Sequence, residues 1–365
     1  IASSLGNVNY DYANKYLVQF VYRVDAVSSL ASENRVGFFP GATAGWNVHH
    51  ENFFKNSGLR KYITSLKPRI SYGVNGNVSG IGNYDVQGVY GSQGNYNGLG
   101  GYLNTAIVNP SLKWEQSKTM NFGLDIGLLN NRITLMADVF DRRTSNLLTN
   151  LTLPSYLGFS SVRTNLGTLQ NKGIELTLSA NIIRKNDFSW DFSVNASFVK
   201  NKILQLPYNG NDKNRQGGIQ IWDPASNQLI WVGGLQEGQA IGDLYGYRQE
   251  SIFKDAAEVA AIAGNRNDKI GSITGPNLAP GAGGRITPGD VNWLDVDRND
   301  TIDSRDQVYL GNINPKVTGG ISSNFRYKNL SLYVVFDYAL GHTIYNDLIA
   351  RTLGQYQGRF NYINL

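Results

Sequence analysis

Residues 174–182 read Ile174-Glu175-Leu176-Thr177-Leu178-Ser179-Ala180-Asn181-Ile182, and residues 188–198 read Phe188-Ser189-Trp190-Asp191-Phe192-Ser193-Val194-Asn195-Ala196-Ser197-Phe198. Apolar and polar residues alternate without a break. Successive side chains of a strand point to opposite faces, so each segment predicts a long strand with one apolar and one polar face. Met120, Phe122, Leu124 and Ile126 follow the same rule, as do Leu330, Leu332, Val334, Phe336 and Tyr338. An apolar face can pack on a second sheet, where strands average about 5–6 residues. It can also meet lipid in a barrel, where about 9–11 residues are needed to cross. Several runs here exceed ten residues.

Composition agrees with an all-β chain. The 365 residues include 41 Gly, 21 Tyr, 15 Phe and 6 Trp, with only 2 Met. The absence of cysteine excludes a disulfide framework, a thiolate metal site and a cysteine nucleophile. No apolar run approaches the 18 residues of a transmembrane helix. The net charge is +5, but Lys and Arg are scattered with no basic stripe, so no nucleic-acid partner is expected.

The connections alternate in length, as the crossings of an outer-membrane barrel do. Short ones fall near residues 11–14, 129–132, 184–187 and 328–329. Long ones fall at 79–109, 153–161 and 207–315. Residues 52–62 make a moderate connection where a short one is due. The predicted crossings are 5–10, 16–26, 36–48, 64–74, 114–128, 133–147, 163–183, 188–203, 316–327 and 330–340. Parity allows an even number of further crossings inside 207–315, with 232–253 as the place for two. Strand-end aromatics Tyr10, Tyr16, Trp46, Trp114, Tyr327 and Tyr338 suit interfacial girdles. Arg23, Asp25, Asp125, Asp138, Glu175, Asp191 and Arg326 fall on the polar phase, as the lining of a wide, wet or plugged lumen would. The chain opens and closes in mid-pattern, which reads as part of a longer barrel.

Several stretches then carry a resemblance. They are Tyr10-Asp11-Tyr12-Ala13-Asn14-Lys15-Tyr16, Arg35-Val36-Gly37-Phe38-Phe39-Pro40, Leu66-Lys67-Pro68-Arg69-Ile70-Ser71-Tyr72, and Asn109-Pro110-Ser111-Leu112-Lys113-Trp114-Glu115. Asn165-Leu166-Gly167-Thr168-Leu169-Gln170-Asn171-Lys172-Gly173-Ile174-Glu175, Gly289-Asp290-Val291-Asn292-Trp293 and Gly311-Asn312-Ile313-Asn314-Pro315 follow in the same order. Together they resemble the barrel of SusC/RagA-type TonB-dependent transporters over nearly all of residues 1–365. The resemblance implies a transmembrane antiparallel β-barrel of 22 strands, with a plug domain, a TonB box and final strands outside this sequence. It further implies import of a glycan (oligosaccharide) or oligopeptide across the outer membrane of a Bacteroidetes-type bacterium. An SusD-like surface lipoprotein would act as a lid, TonB would engage the N-terminal part, and the pairs would assemble as a dimer. The alternative is a soluble secreted β-sheet module that binds glycans.

One local motif carries metal chemistry. Asp295, Asp297, Asn299, Thr301, Asp303 and Asp306 occupy positions 1, 3, 5, 7, 9 and 12 of a loop, with apolar Ile302 at position 8. That is the oxygen-ligand spacing of a calcium loop, with Thr301 offering its backbone carbonyl. Position 6 is Asp300 rather than Gly, and position 12 is Asp306 rather than Glu. A structural Ca²⁺ is the expected ion. His49, His50 and His342 do not converge on a metal site, and no nucleophile–base arrangement can be assembled, so no enzyme is expected. Tyr84, Tyr90, Tyr96 and Tyr102 in the first long loop, and Trp222 and Trp231 in the last, offer ring faces to a sugar or peptide. Gly94–Gly101 lacks the Lys-Ser/Thr ending of a phosphate loop and reads as a flexible loop. Residues 253–263 read as a short helix, with Ala256, Val259, Ala260 and Ala263 on one stripe.

Overall fold

The computed structural model describes residues 1–153, 156, 158–266, 288, 289, 291–299, 302–346 and 348. Ten long strands form one antiparallel sheet. They are β1 (Ala2–Tyr12), β2 (Tyr16–Ala26), β3 (Val36–Trp46), β4 (Ile63–Asn77), β7 (Glu115–Leu128), β8 (Ile133–Ser145), β11 (Thr168–Arg184), β12 (Phe188–Gln205), β19 (Val317–Tyr327) and β20 (Leu330–Leu340). Each pairs with its neighbours in that order, so the sheet is a meander. Among the described residues it is also open, because β1 and β20 have one neighbour each. The ten crossings expected from alternation are these ten strands.

The shorter strands form separate two-stranded sheets. β5 (Tyr90–Tyr96) pairs with β6 (Leu99–Asn104), and β9 (Leu148–Thr152) with β10 (Ser161–Asn165). β13 (Ile219–Asp223) pairs with β14 (Gln228–Val232), β15 (Asp243–Gly246) with β18 (Val308–Asn312), and β16 (Gln249–Ile252) with β17 (Val291–Trp293). Among the described residues there are two α-helices, α1 (Asn52–Lys55) and α2 (Ala256–Arg266).

Register puts the apolar residues on one face across the whole sheet. Ile174 lies opposite both Val139 and Phe198, Phe122 opposite Val139 and Ile70, and Tyr72 opposite Ala42. That face is uncovered. Phe122 is 53% exposed, Phe20 59% and Leu178 37%. A soluble sandwich would have covered it with a second sheet of comparable size, and among the described residues the other sheets have two strands each. All seven charged residues expected on the other face are there. Glu175 lies opposite Asp138, Asp191 opposite Asn324, and Arg326 opposite Ser189.

Among the described residues no strand between β12 and β19 joins the large sheet; β15 and β16 within 232–253 pair with β18 and β17, so the even number of further crossings that parity allows is none there. Two expectations are corrected. The Gly94–Gly101 stretch is the heart of the β5–β6 hairpin. Asn97 and Gly98 both have positive φ (49° and 80°), the backbone that a tight two-residue hairpin turn demands and that Asn-Gly supplies. The crossing expected at 163–183 is two elements: β10 ends at Asn165, and β11 starts after Gly167, whose φ is 112°.

Trp114 is no girdle residue either. It is buried, edge-to-face with Phe39 at 5.2 Å, and donates from Nε1 to the Arg35 carbonyl at 3.3 Å. With Val27, Leu30 and Leu112 these rings make the apolar core beneath the first long loops. Gly76 is required there, since a Cβ would come within 2.0 Å of the Phe39 ring. Tyr338, by contrast, lies across Gly319 and donates its hydroxyl to the Asn195 carbonyl at 2.8 Å.

Two compact units are distinguished. The first holds residues 1–215, 235–241 and 316–339, including the sheet. The second holds 216–234, 242–315 and 340–365. The expected helix at 253–263 appears in the second unit as α2, shifted by a few residues.

Candidate functional site

Within the second unit, the acidic loop follows β17 and ends in a short 3-10 helix at Ser304–Asp306. Asp306 organises it. Its side chain is fully buried, and each carboxylate oxygen accepts one backbone N–H: Oδ1 from Val296 and Oδ2 from Asp303, both at 2.8 Å. One residue thus fastens both ends of the loop. The short helix packs on β13, whose Ile221 is buried, and Ile302 is buried too. Apolar position 8 therefore anchors the loop while the acids gather above it.

Carboxylate oxygens of Asp295, Asp297 and Asp306 lie within 4.8 Å of one another. Asn299 closes the turn: its backbone N–H donates to Oδ1 of Asp295 and of Asp297, each at 3.2 Å, and its amide donates to Asp297 Oδ2 at 2.8 Å. Asp303 is tied to Arg305, whose Nε also lies 3.7 Å from Asp297 Oδ2. It accepts Arg305 Nε at 2.9 Å and caps the short helix by accepting the Arg305 backbone N–H at 2.8 Å. Of the six residues expected as ligands, three therefore converge, Asn299 braces them, Asp303 is committed to Arg305, and Thr301 lies outside the described residues.

The electrostatics divide the same way. Burial pushes the Asp297 and Asp306 carboxyls above the usual range, and the neighbouring carboxylates add to it. The Arg305 side chain holds Asp303 below it. Hard, crowded oxygens that resist ionisation are the donor set a divalent cation relieves, so the residues present fit Ca²⁺.

The aromatic candidates fall on two hairpins. On β5–β6, Tyr90 lies opposite Asn104 and Ser92 opposite Tyr102, which puts Tyr90 and Tyr102 on one face as diagonal neighbours. They are 72% and 75% exposed, and Tyr84, before the hairpin, is exposed as well. Tyr96 ends β5, and its side chain lies outside the description. On β13–β14, Trp222 lies opposite Leu229 and Gln220 opposite Trp231, so the two indoles also share a face, the one away from buried Ile221 and Val232.

A third arrangement escaped the reading of the sequence. On the polar face of the sheet, Arg69 bridges two strands, with Nε 3.1 Å from Asp125 Oδ1 and Nη2 2.5 Å from Asp138 Oδ2. Asn121 donates to the other Asp138 oxygen at 2.7 Å. The acids were evident from their phase. Arg69 has the same phase, right after Pro68, and was the available signal.

The profile of the family described as "TonB dependent receptor-like, beta-barrel" matches residues 4–221, more than half of the chain. TonB-dependent receptor P3 of Formosa agariphila is 33% identical over 95% of this chain and 32% of its own length. TonB-dependent receptor SusC of Bacteroides thetaiotaomicron is 28% identical over 96% of this chain and 32% of its own. The chain thus spans about a third of the length of the curated relatives it matches. A solved structure of the RagAB peptide transporter superposes with a TM-score of 0.65 and 23% identity, over 93% of this chain and 33% of that one, which is a likeness of fold. With its meander of ten antiparallel strands and its two-faced wall, the chain belongs to the TonB-dependent receptor β-barrel family, whose members are receptors and transporters rather than enzymes.

Proposed function

We propose that the chain forms part of the wall and outer loops of an outer-membrane importer that takes up an oligosaccharide or oligopeptide with energy delivered through TonB. The observation that carries this reading is the continuous apolar face, uncovered across ten strands, opposite a face lined by Arg69, Asp125, Asp138 and Glu175. Such a wall is stable with lipid on one side and a polar lumen on the other. Family membership supports the transport class, and the similarity to SusC and to the RagAB peptide transporter supports an importer of this type.

In this reading the wall continues into further strands to close a barrel of 22, and TonB engages a segment N-terminal to this one. An SusD-like surface lipoprotein covers the long loops, and two such pairs associate. Tyr84, Tyr90, Tyr96 and Tyr102 on one hairpin region, and Trp222 and Trp231 on another, present ring faces to cargo or lid. Asp295, Asp297, Asn299, Thr301, Asp303 and Asp306 form a calcium loop with a structural role. In it Asp295, Asp297 and Asp306 supply carboxylate ligands, and Asp303 reaches the ion only if it leaves Arg305.

Fractionation tests the reading. The full-length protein should sediment with outer membranes and require detergent for release. Recovery in the soluble fraction without detergent would overturn it. For the loop, elemental analysis of the purified protein should find calcium, lost with chelator and regained with millimolar Ca²⁺.

A further inference from the structure

At the end of the sheet where its other connections have three, four, three and two residues, the connection from β3 to β4 has sixteen, residues 47–62. It carries α1 and two 3-10 turns, at Val48–His50 and Gly58–Lys61. Phe54 is buried, and the two 3-10 turns pack on β4. Phe53, next to it, is 61% exposed, and Leu59 and Tyr62 are also more than half exposed.

Phe53 continues a row of rings on the apolar face. Tyr12 stacks on Tyr16 at 6.4 Å, Tyr16 on Trp46 at 6.3 Å, and Trp46 meets Phe53 at 6.3 Å. Tyr12, Tyr16 and Trp46 are paired across β1, β2 and β3 in the same phase as Phe20 and Val8. The apolar surface of the wall thus runs without interruption onto the connection.

Beside it lie three exposed cations, Lys55, Arg60 and Lys61, with no carboxylate at ion-pair distance among the described residues. Lys61 Nζ sits 5.8 Å from the centre of the Tyr62 ring. The acid in the segment, Glu51, is already engaged. It takes Lys15 Nζ at 2.9 Å, Trp46 Nε1 at 3.2 Å and the Tyr16 hydroxyl at 2.9 Å, and Lys15 above all holds its carboxyl down at about 2. It stays charged and spent, leaving a net positive rim against an apolar one.

We infer that residues 47–62 are a membrane-docking segment, in which Phe53, Leu59 and Tyr62 enter the interfacial layer while Lys55, Arg60 and Lys61 bind the phosphates of anionic phospholipid headgroups. Exposed aromatic and aliphatic side chains with adjacent unpaired cations are the chemistry of an interfacial anchor. A short turn would suffice to join the strands, so the extra length serves surface contact. The inference rests on the wall facing lipid, as proposed above.

The test uses full-length protein in lipid nanodiscs, freed of any other cysteine, with a nitroxide at Leu59→Cys or, as a reference, at Leu178→Cys. Collision with oxygen and with a water-soluble nickel reagent reports depth. In discs containing phosphatidylglycerol, the label at 59 should be oxygen-accessible and shielded from nickel. K55Q/R60Q/K61Q should weaken that protection by about fivefold per cation removed, and discs of phosphatidylcholine alone should weaken it similarly. The label at 178 should stay in hydrocarbon throughout, which also shows that each variant is folded and inserted. Equal nickel access at 59 with and without the cations, while 178 remains in hydrocarbon, would overturn the inference alone. A water-exposed label at 178 would overturn the membrane reading beneath it.

Discussion

The ten-stranded wall and the acidic loop are stabilised in opposite ways. In the wall, position in the sequence decides everything. Each residue's phase sets its face, and pairing with two neighbours repeats the decision, so Ile174 is held in register by both Val139 and Phe198. In the loop a few contacts carry the shape. Asp306 joins Val296 to Asp303 through its two carboxylate oxygens, and Ile302 is buried at the turn centre. The wall distributes its specification and should absorb most single changes on its polar face. The loop concentrates its specification and should fail locally at single atoms.

The largest expected effect lies on the apolar face. Leu178→Arg or Phe192→Arg should cost about 2–4 kcal/mol in lipid, while Thr177→Arg or Ser193→Arg should be near neutral. Denaturant unfolding in lipid vesicles measures this, and equal sensitivity on both faces would break the contrast. Next is Asp306→Ala, which strands two backbone N–H groups in a buried site at about 1–3 kcal/mol. Hydrogen exchange should accelerate at Val296 and Asp303 and stay unchanged in β11 and β12. Smaller again is Arg69→Ala. Its partners are partly solvated, so about 1 kcal/mol is expected, with the urea midpoint shifted and the fold retained. Asp125→Asn should recover part of that loss by removing one of the acids left without its cation.

The pH response of the loop sharpens the comparison further. Burial raises the carboxyls of Asp297 and Asp306, so the folded loop binds protons more tightly than the unfolded chain. Without a cation, that contribution favours order below the ordinary carboxylate range and fades as pH rises through the raised values. Asp303 acts in the opposite sense. Arg305 lowers its carboxyl, so its contribution is present above the ordinary range and is lost as pH falls through the lowered value. In chelator, exchange at Asp303 and Val296 should therefore quicken as pH rises above the ordinary carboxylate range, where Asp303 is already ionised and only the raised groups still titrate, after correction for intrinsic exchange. Calcium at neutral pH should reverse it. No calcium effect at neutral pH would leave the loop a hydrogen-bonded turn.

These differences explain what could be read from the sequence. All ten wall strands were legible because alternation is local and repeated in every neighbour. The seven inward charges followed from phase alone. What escaped depended on partners distant in sequence. Trp114 has the composition of a girdle residue, but it packs on Phe39, 75 positions away. Arg69 meets Asp125 and Asp138 only when three strands align. Within the acidic motif, spacing found the cluster, yet it could not show that Arg305 draws Asp303 aside. Asn97-Gly98 is a different case. The turn signal was present in two adjacent residues and was masked by the glycines around it.

The claim on which the rest depends is that one face of the wall meets lipid and the other a polar lumen. A label scan along β11 in the full-length protein, reconstituted in lipid, tests it most directly. Nitroxides placed singly at residues 174 to 180 should alternate: oxygen-accessible at 174, 176, 178 and 180, and water-accessible at 175, 177 and 179. Alternation of that phase, at hydrocarbon depth, is the predicted result. Labels that all report water, or that show no two-residue period, would contradict the account.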